Sequence, residues 1–242
     1  MARELDSDVY FDTAMRYGNP SIKKVLYQLI EKGYSDITIL PMFPQYSTTT
    51  TLSIFELIKQ LIKKDKNYFS GVNINAVSSF HDNNLYIKAC ANKIRSSQKL
   101  LSKPDKLLFS FHGIPESYIG DDEPYQKECL HTAHMIAKEL KLTDNEYEIA
   151  FQSRFGKAEW IKPYLSSRLE ELPNEGITNL HIFCPGFSSD CLETIDEIGR
   201  ESKEDYFEHG GKEFTFIQCL NSDEQFIKAL MNIQSVPDTK LL

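Results

Sequence analysis

The sequence predicts an α/β fold built on parallel sheets. Strand-like apolar runs alternate with amphipathic helix patterns along the chain, and glycine and proline turn the chain where those runs end. A composition of 41% hydrophobic and 26% charged residues is that of a core-forming protein. At 242 residues the chain suffices for one large domain or two of about 100–150 residues each.

In the first half, strands are predicted near Val9–Ala14, Ile37–Leu40 and Val72–Val77. Helices follow near Ser21–Lys32, Leu52–Lys64 and Asn84–Gln98. In the first of these, Ile22, Val25, Leu26, Leu29 and Ile30 form one apolar face, with Ser21 as N-cap and Gly33 just past the end. The second half predicts strands near Lys106–Phe111, Tyr147–Phe151, Leu180–Phe183 and Glu213–Gln218. Its helices fall near Tyr125–Leu140, Glu159–Leu172, Cys191–Phe207 and Ser222–Ile233. The junction is placed at Leu101–Asp105, where Lys103 precedes a proline and favours extended backbone. With three strands against four, the first half is expected to lack a strand and its helix, and the chain to open in a would-be internal strand.

A net charge of −8 and a pI near 5.3 argue against nucleic-acid binding, which needs a basic stripe. No run approaches the eighteen apolar residues that span a bilayer, and the start carries no apolar signal core. The protein is expected in the cytoplasm. Cys90, Cys129, Cys184, Cys191 and Cys219 are odd in number and widely spaced, without C-x-x-C. They read as reduced thiols, with neither a disulfide framework nor an iron–sulfur cluster expected.

The chemistry gathers where strands end. Leu107–Phe111 leads into His112-Gly113-Ile114-Pro115, placing a histidine at the carboxyl end of a strand, where ligands bind in parallel α/β sheets. That histidine either accepts a proton near neutral pH or merely bonds its own loop. Downstream, Pro185-Gly186-Phe187-Ser188-Ser189-Asp190 leads into a helix on which Glu193, Glu197 and Glu201 recur every four residues. Like charges so spaced repel by roughly 0.2–0.5 kcal/mol per pair. A row of oxygen donors suits a cation or proton path; a solvated acidic face is the alternative, since Asp190 to Glu208 holds eight acidic residues against two basic.

In Phe151-Gln152-Ser153-Arg154-Phe155-Gly156, hydroxyl and amide groups stand ready for a carboxylate, and Trp160 for packing on a flat ring; helix capping and core packing are the alternative. Arg16, beside Tyr17, faces either an anionic group or a surface ion-pair partner. His131 and His134 sit three apart on a predicted helix with no third ligand in register, and read as surface residues. No dinucleotide fingerprint or P-loop occurs.

Five stretches in order, AMRYGNP, LPMFPQYS, SFHGIPESY, FQSRFG with Trp160 and Pro163 beyond it, and PGFSSDCLETIDEI, resemble ferrochelatase, most nearly its bacterial protoporphyrin-using branch. The match runs from about Ala14 to Asn221. The resemblance implies two Rossmann-like chelatase domains with parallel sheets, the first incomplete: residues 1–102, 103–221, and 222–242 as a C-terminal helix packing back on the first. It implies insertion of Fe²⁺ into protoporphyrin IX, with Fe²⁺ as substrate and no cofactor required. By resemblance His112 and Glu193 are catalytic and, with Glu197 and Glu201, form the metal path; Arg16, Tyr17, Ser153, Trp160 and Phe187 line the porphyrin cleft. The resemblance also implies that Glu197 and Glu201 belong to an acidic ladder leading from a π-distorted helix toward solvent. Full-length members carry a further N-terminal segment with a central strand and an apolar lip that touches membrane. This chain is therefore expected to be weak or inactive and to pair with another copy through an exposed edge. The alternatives are a non-catalytic tetrapyrrole-binding fragment and a cobalt chelatase; Cys191 stands where the latter would carry a second histidine.

Overall fold

The computed structural model describes residues 9–100, 103–120 and 122–242. Leu101 and Ser102 of the expected junction lie outside them.

Among the described residues the strands form two sheets. The smaller joins β1 (Asp36–Ile39), β2 (Asn73–Ala76) and β7 (Thr239–Lys240), with β1 and β2 parallel and β7 antiparallel to β2. The larger contains β3 (Lys106–His112), β4 (Tyr147–Gln152), β5 (Asn179–Phe183) and β6 (Glu213–Ile217), all parallel, in the order β4-β3-β5-β6. Strands β1 to β6 agree with expectation to within a residue at each end. β7 was not foreseen: two residues offer no period-2 pattern to read.

Val9–Ala14, expected as a strand, forms none; it is exposed and joins no ladder among the described residues. A strand exists only through its neighbour's hydrogen bonds, which apolar patterning alone does not supply.

α1 (Ile22–Glu31) is capped by Ser21, whose Oγ accepts the Lys24 N–H at 3.3 Å, and the chain leaves it through Gly33 at φ 89°. A π-helical turn over Thr48–Leu52 leads into α2 (Ser53–Lys64), which buries Ile54, Phe55, Ile58 and Leu61. These residues, with Ile22, Leu26, Ile37 and Ile74, make the core beside the smaller sheet. α3 (Asn84–Leu100) packs against α4 (Tyr125–Leu140) and α7 (Glu224–Gln234) over one face of the larger sheet, burying Phe109, Phe111, Ile94, Ile136 and Phe226.

Two expected helices differ. α5 (Leu165–Glu171) begins six residues later than the expected Glu159 start. Residues 159–164 are held instead along the strand ends: Ile161 N–H donates to Ile114 O at 3.0 Å and Phe151 N–H to Pro163 O at 2.9 Å. The expected Cys191–Phe207 helix divides into a π-helix, Glu193–Ser202, and α6 (Lys203–Glu208).

Phe109 is fully buried and meets Tyr147 edge-on at 5.9 Å between ring centroids. Phe109→Ala is expected to destabilise the protein by about 3–5 kcal/mol, read as a lower urea midpoint at unchanged slope.

Candidate active site

Parallel pairing of β3 with β4 sets His112 in register with Gln152 at the carboxyl ends of both strands. The chain turns at Gly113, whose N–H donates to Gln152 O at 2.8 Å. A Cβ here would stand 3.0 Å from Gln152 O and 3.0 Å from the Trp160 ring, so glycine is what lets this turn lie flat on its neighbours.

His112 is half-buried, and its Nδ1 lies 2.6 Å from Gly113 O. A carbonyl only accepts, so Nδ1 carries a proton, and in the neutral ring the lone pair then sits on Nε2. The bond to its own loop is thus present, and it fixes which nitrogen of the neutral ring is left to accept. Tyr125 holds the strand end by donating to His112 O at 2.9 Å. Trp160 is buried, with its ring centroid 6.3 Å from the imidazole, and Phe155 packs edge-on against it at 5.0 Å.

Gln152 is buried and fully bonded. Its Oε1 accepts from Ser110 Oγ at 2.8 Å, and its Nε2 donates to Glu193 O at 3.0 Å and to Glu197 Oε2 at 3.4 Å. Glu197 also accepts from the Ser153 N–H at 2.6 Å and from Ser153 Oγ at 2.7 Å. The hydroxyl and amide donors of this segment therefore do hold a carboxylate, one belonging to the protein, and Ser153 sits at φ 64° to present both donors together. The strand end thereby fixes the π-helix above it.

Bonds that reach i→i+5 widen each turn of that helix. Glu193 is exposed, Glu197 half-buried and Glu201 exposed. Hydrogen bonds from the Cys191 side chain and from its own backbone hold the Glu193 carboxyl below the usual carboxylate range; burial opposes this, and His112 assists electrostatically. Farther along, Glu197, Glu201 and Asp205 line a cavity of about 230 Å³ with Ser153, Arg154 and Tyr164. Repulsion along the row is relieved by Arg200, which bonds Asp196 at 2.6 Å and Glu201 at 3.0 Å.

The remaining expected residues are less tightly joined. Phe187 is half-buried against the core that contains Cys184 and Ile198. Arg16 donates to Ser53 O at 3.2 Å, stacks on Tyr17 at 4.5 Å, and makes no recorded bond to His112 or Glu193; Tyr17 is 84% exposed. Leu192 and Ile195, on either side of Glu193 in the chain, are 76% and 59% exposed, and Phe155, packed on Trp160, is 74% exposed.

Sequence reasoning missed the clamp that starts the π-helix. Asp190 Oδ1 accepts the Cys219 N–H at 3.0 Å, and Asp190 Oδ2 accepts Asn221 Nδ2 at 2.7 Å; Asn221 Oδ1 in turn accepts the Asp190 N–H at 2.9 Å. The partners lie about thirty residues apart, beyond any local motif; the only trace in the sequence is a polar residue just after each of two apolar strands.

The Ferrochelatase family model matches residues 1–235. The chain is 44% identical over 220 residues to the ferrochelatase of Janthinobacterium sp. (strain Marseille), covering 91% of this chain and 59% of that protein. It is 42% identical over 226 residues to that of Herminiimonas arsenicoxydans, covering 93% and 61%. The chain thus spans about three fifths of these relatives' length. Among solved structures, SirB from Bacillus subtilis with Fe³⁺ superposes with a TM-score of 0.62 at 14% identity, covering 89% of this chain and 76% of that one. DR2241 from Deinococcus radiodurans, described as similar to chelatases, gives 0.60 at 12%, covering 90% and 44%. These two likenesses establish a chelatase-type fold.

Burial opposes ionisation of Asp190, but the bonds from Asn221, Cys219 and Thr194 outweigh it and hold its carboxyl below the ordinary value. A lowered folded value stabilises the protein above the unfolded pKa of about 3.9, and that gain disappears as pH falls through the folded value. Asp190→Asn is expected to lower stability at neutral pH by roughly 1–2 kcal/mol, the difference between a charged and a neutral acceptor. Urea unfolding across the acid range should show the gap between the two proteins closing below about pH 4; a constant gap would contradict the ionic role.

Proposed function

The chain belongs to the ferrochelatase family, and from that premise we propose that the protein inserts Fe²⁺ into protoporphyrin IX to form haem. The observation that carries the reading is the geometry at the strand ends: His112 stands in register with Gln152, whose amide donates to Glu193 O at 3.0 Å, with Trp160 and Phe155 beside the imidazole. A free-base porphyrin must lose two pyrrole protons as the metal enters. His112 Nε2 is the first acceptor and Glu193 its anionic partner, while both are sites for the incoming cation.

The macrocycle is flat and largely apolar, which suits Trp160, Phe187 and the exposed Phe155, Leu192 and Ile195. Bending it exposes the nitrogen lone pairs and lowers the barrier to metallation, a distortion for which these walls are placed. Arg16, Tyr17 and Ser153 are assigned to the periphery and its carboxylates. Ser153 would do so only by sharing or releasing Glu197.

Glu197 and Glu201 are assigned to the cation and proton path. Their cavity falls below the roughly 300–1,000 Å³ of small-molecule pockets, so it suits an ion and its water rather than the macrocycle. No cofactor is required by this chemistry. Among the described residues, no helix is long and apolar enough to cross a membrane. The reading places the reaction in the cytoplasm, with peripheral membrane contact for delivery of an apolar substrate and self-association through the smaller sheet's edge.

Anaerobic Fe²⁺ insertion tests the proposal. In His112→Ala, turnover is expected to fall by about 100- to 10,000-fold, the range for loss of a general base, while protoporphyrin binding by fluorescence quenching stays within a few-fold. Undiminished turnover would remove His112 from the mechanism. Porphyrin binding without insertion by the unaltered protein would favour a tetrapyrrole-binding role.

A further inference from the structure

The loop after β2 and the helix α4 bring together His81, Asp82 and His131, whose ligand atoms all lie within 4.8 Å of one another. Among the described residues this is the one such group of three, and it shares no residue with His112 and Glu193. His131 was expected to lack a third ligand; the structure supplies two from fifty residues upstream. His134, its expected companion, instead has its Nδ1 2.6 Å from the Tyr147 hydroxyl.

The hydrogen bonds behind the group determine which nitrogen is bare. Ser79 Oγ has one proton and two pure acceptors in reach, Glu128 Oε2 at 2.7 Å and Pro44 O at 3.0 Å. It therefore accepts from His81 Nδ1, 2.8 Å away, and Glu128 stands 3.3 Å from the same nitrogen. Nδ1 carries the proton, and the lone pair of Nε2 points outward. A carboxylate behind the far nitrogen of a histidine is the usual support of a metal ligand, since it fixes the ring and raises its basicity. Thr132 further anchors the loop by donating to His81 O at 2.8 Å.

His81 Nε2 faces His131 Nδ1 at 3.1 Å. Two nitrogens on one tetrahedral ion with bonds of about 2.0–2.1 Å stand about 3.3 Å apart, so the pair is already near the spacing that coordination demands. Only the His131 proton must move, from Nδ1 to the solvent side of its ring. Asp82 is exposed and supplies the oxygen.

We infer that His81, Asp82 and His131 form a peripheral site for a borderline first-row divalent cation such as Zn²⁺, Co²⁺ or Fe²⁺, with water in the open position. Two imidazoles select such ions over Mg²⁺ and Ca²⁺, which take oxygen ligands. Bound there, the ion clips the loop after β2 to α4.

Titration of the full protein with Co²⁺, followed by its visible d–d absorption, and the rise in melting temperature with Zn²⁺ test this. The double variant His112→Ala/Glu193→Gln is expected to keep both signals from this site. Added to that double variant, His131→Ala is expected to lose them, and Asp82→Asn to weaken binding at least tenfold. Because His131 is exposed, its variant should match the parent's melting temperature without metal. Signals that survive when His131→Ala is added to the double variant, that vanish in the double variant itself, that Mg²⁺ reproduces, or that are absent from the parent would each overturn the assignment. Failure here leaves the porphyrin reading untouched, since the two sites share no residue.

Discussion

The parallel pairing of β3 with β4 is the constraint on which the site depends. Register alone puts His112 beside Gln152 at the sheet's carboxyl edge. Everything above that edge hangs on the Gln152 amide. Ser110 fills its oxygen from below, and its nitrogen reaches Glu193 and Glu197 above. A buried amide with all its bonds made is stiff, and losing one partner would strand the rest. Backbone register thus places His112, and the Gln152 side chain places the start of the carboxylate row.

Carboxylates do much of the joining elsewhere. Buried Glu123 accepts from Ser47 Oγ at 3.1 Å, Thr48 N–H at 2.8 Å and Thr48 Oγ1 at 2.5 Å, tying the first π-helical turn to the segment before α4. Glu128 does the same for Tyr46 N–H at 2.7 Å and for Ser79. Gln45 reaches Thr132 at 3.0 Å, Ser188 reaches Met42 O at 2.8 Å, and the Tyr86 hydroxyl donates to Pro185 O. Part of the net negative charge thus serves as acceptors for loop donors near the smaller sheet. An acidic surface is only one use of so many glutamates.

The acidic row along the π-helix divides between a bonded inner carboxylate and solvated outer ones. Glu197 is drawn inward by Ser153 and Gln152, while Glu201 is drawn outward by Arg200. Spacing identified the row; it could not separate its members, because the partners that separate them come from β4 and from within the helix.

Strands β1 to β6, most helices and the position of His112 after an apolar strand were legible from periodicity, since a half-buried element writes its buried face into local sequence. The five ordered stretches were enough to name the family. What tertiary structure decided was everything that depends on a partner distant in the chain. Val9–Ala14 has strand-like composition and no ladder; residues 159–164, expected as the start of a helix despite Pro163, have a strand-edge bond pattern. The tautomer of His112, the capture of Ser153 by Glu197, the Asp190–Asn221 clamp and the meeting of His81 with His131 all follow from folding. Periodicity records which face is buried, whereas hydrogen-bond partners and ligand sets are chosen by the space that remains once those faces have packed.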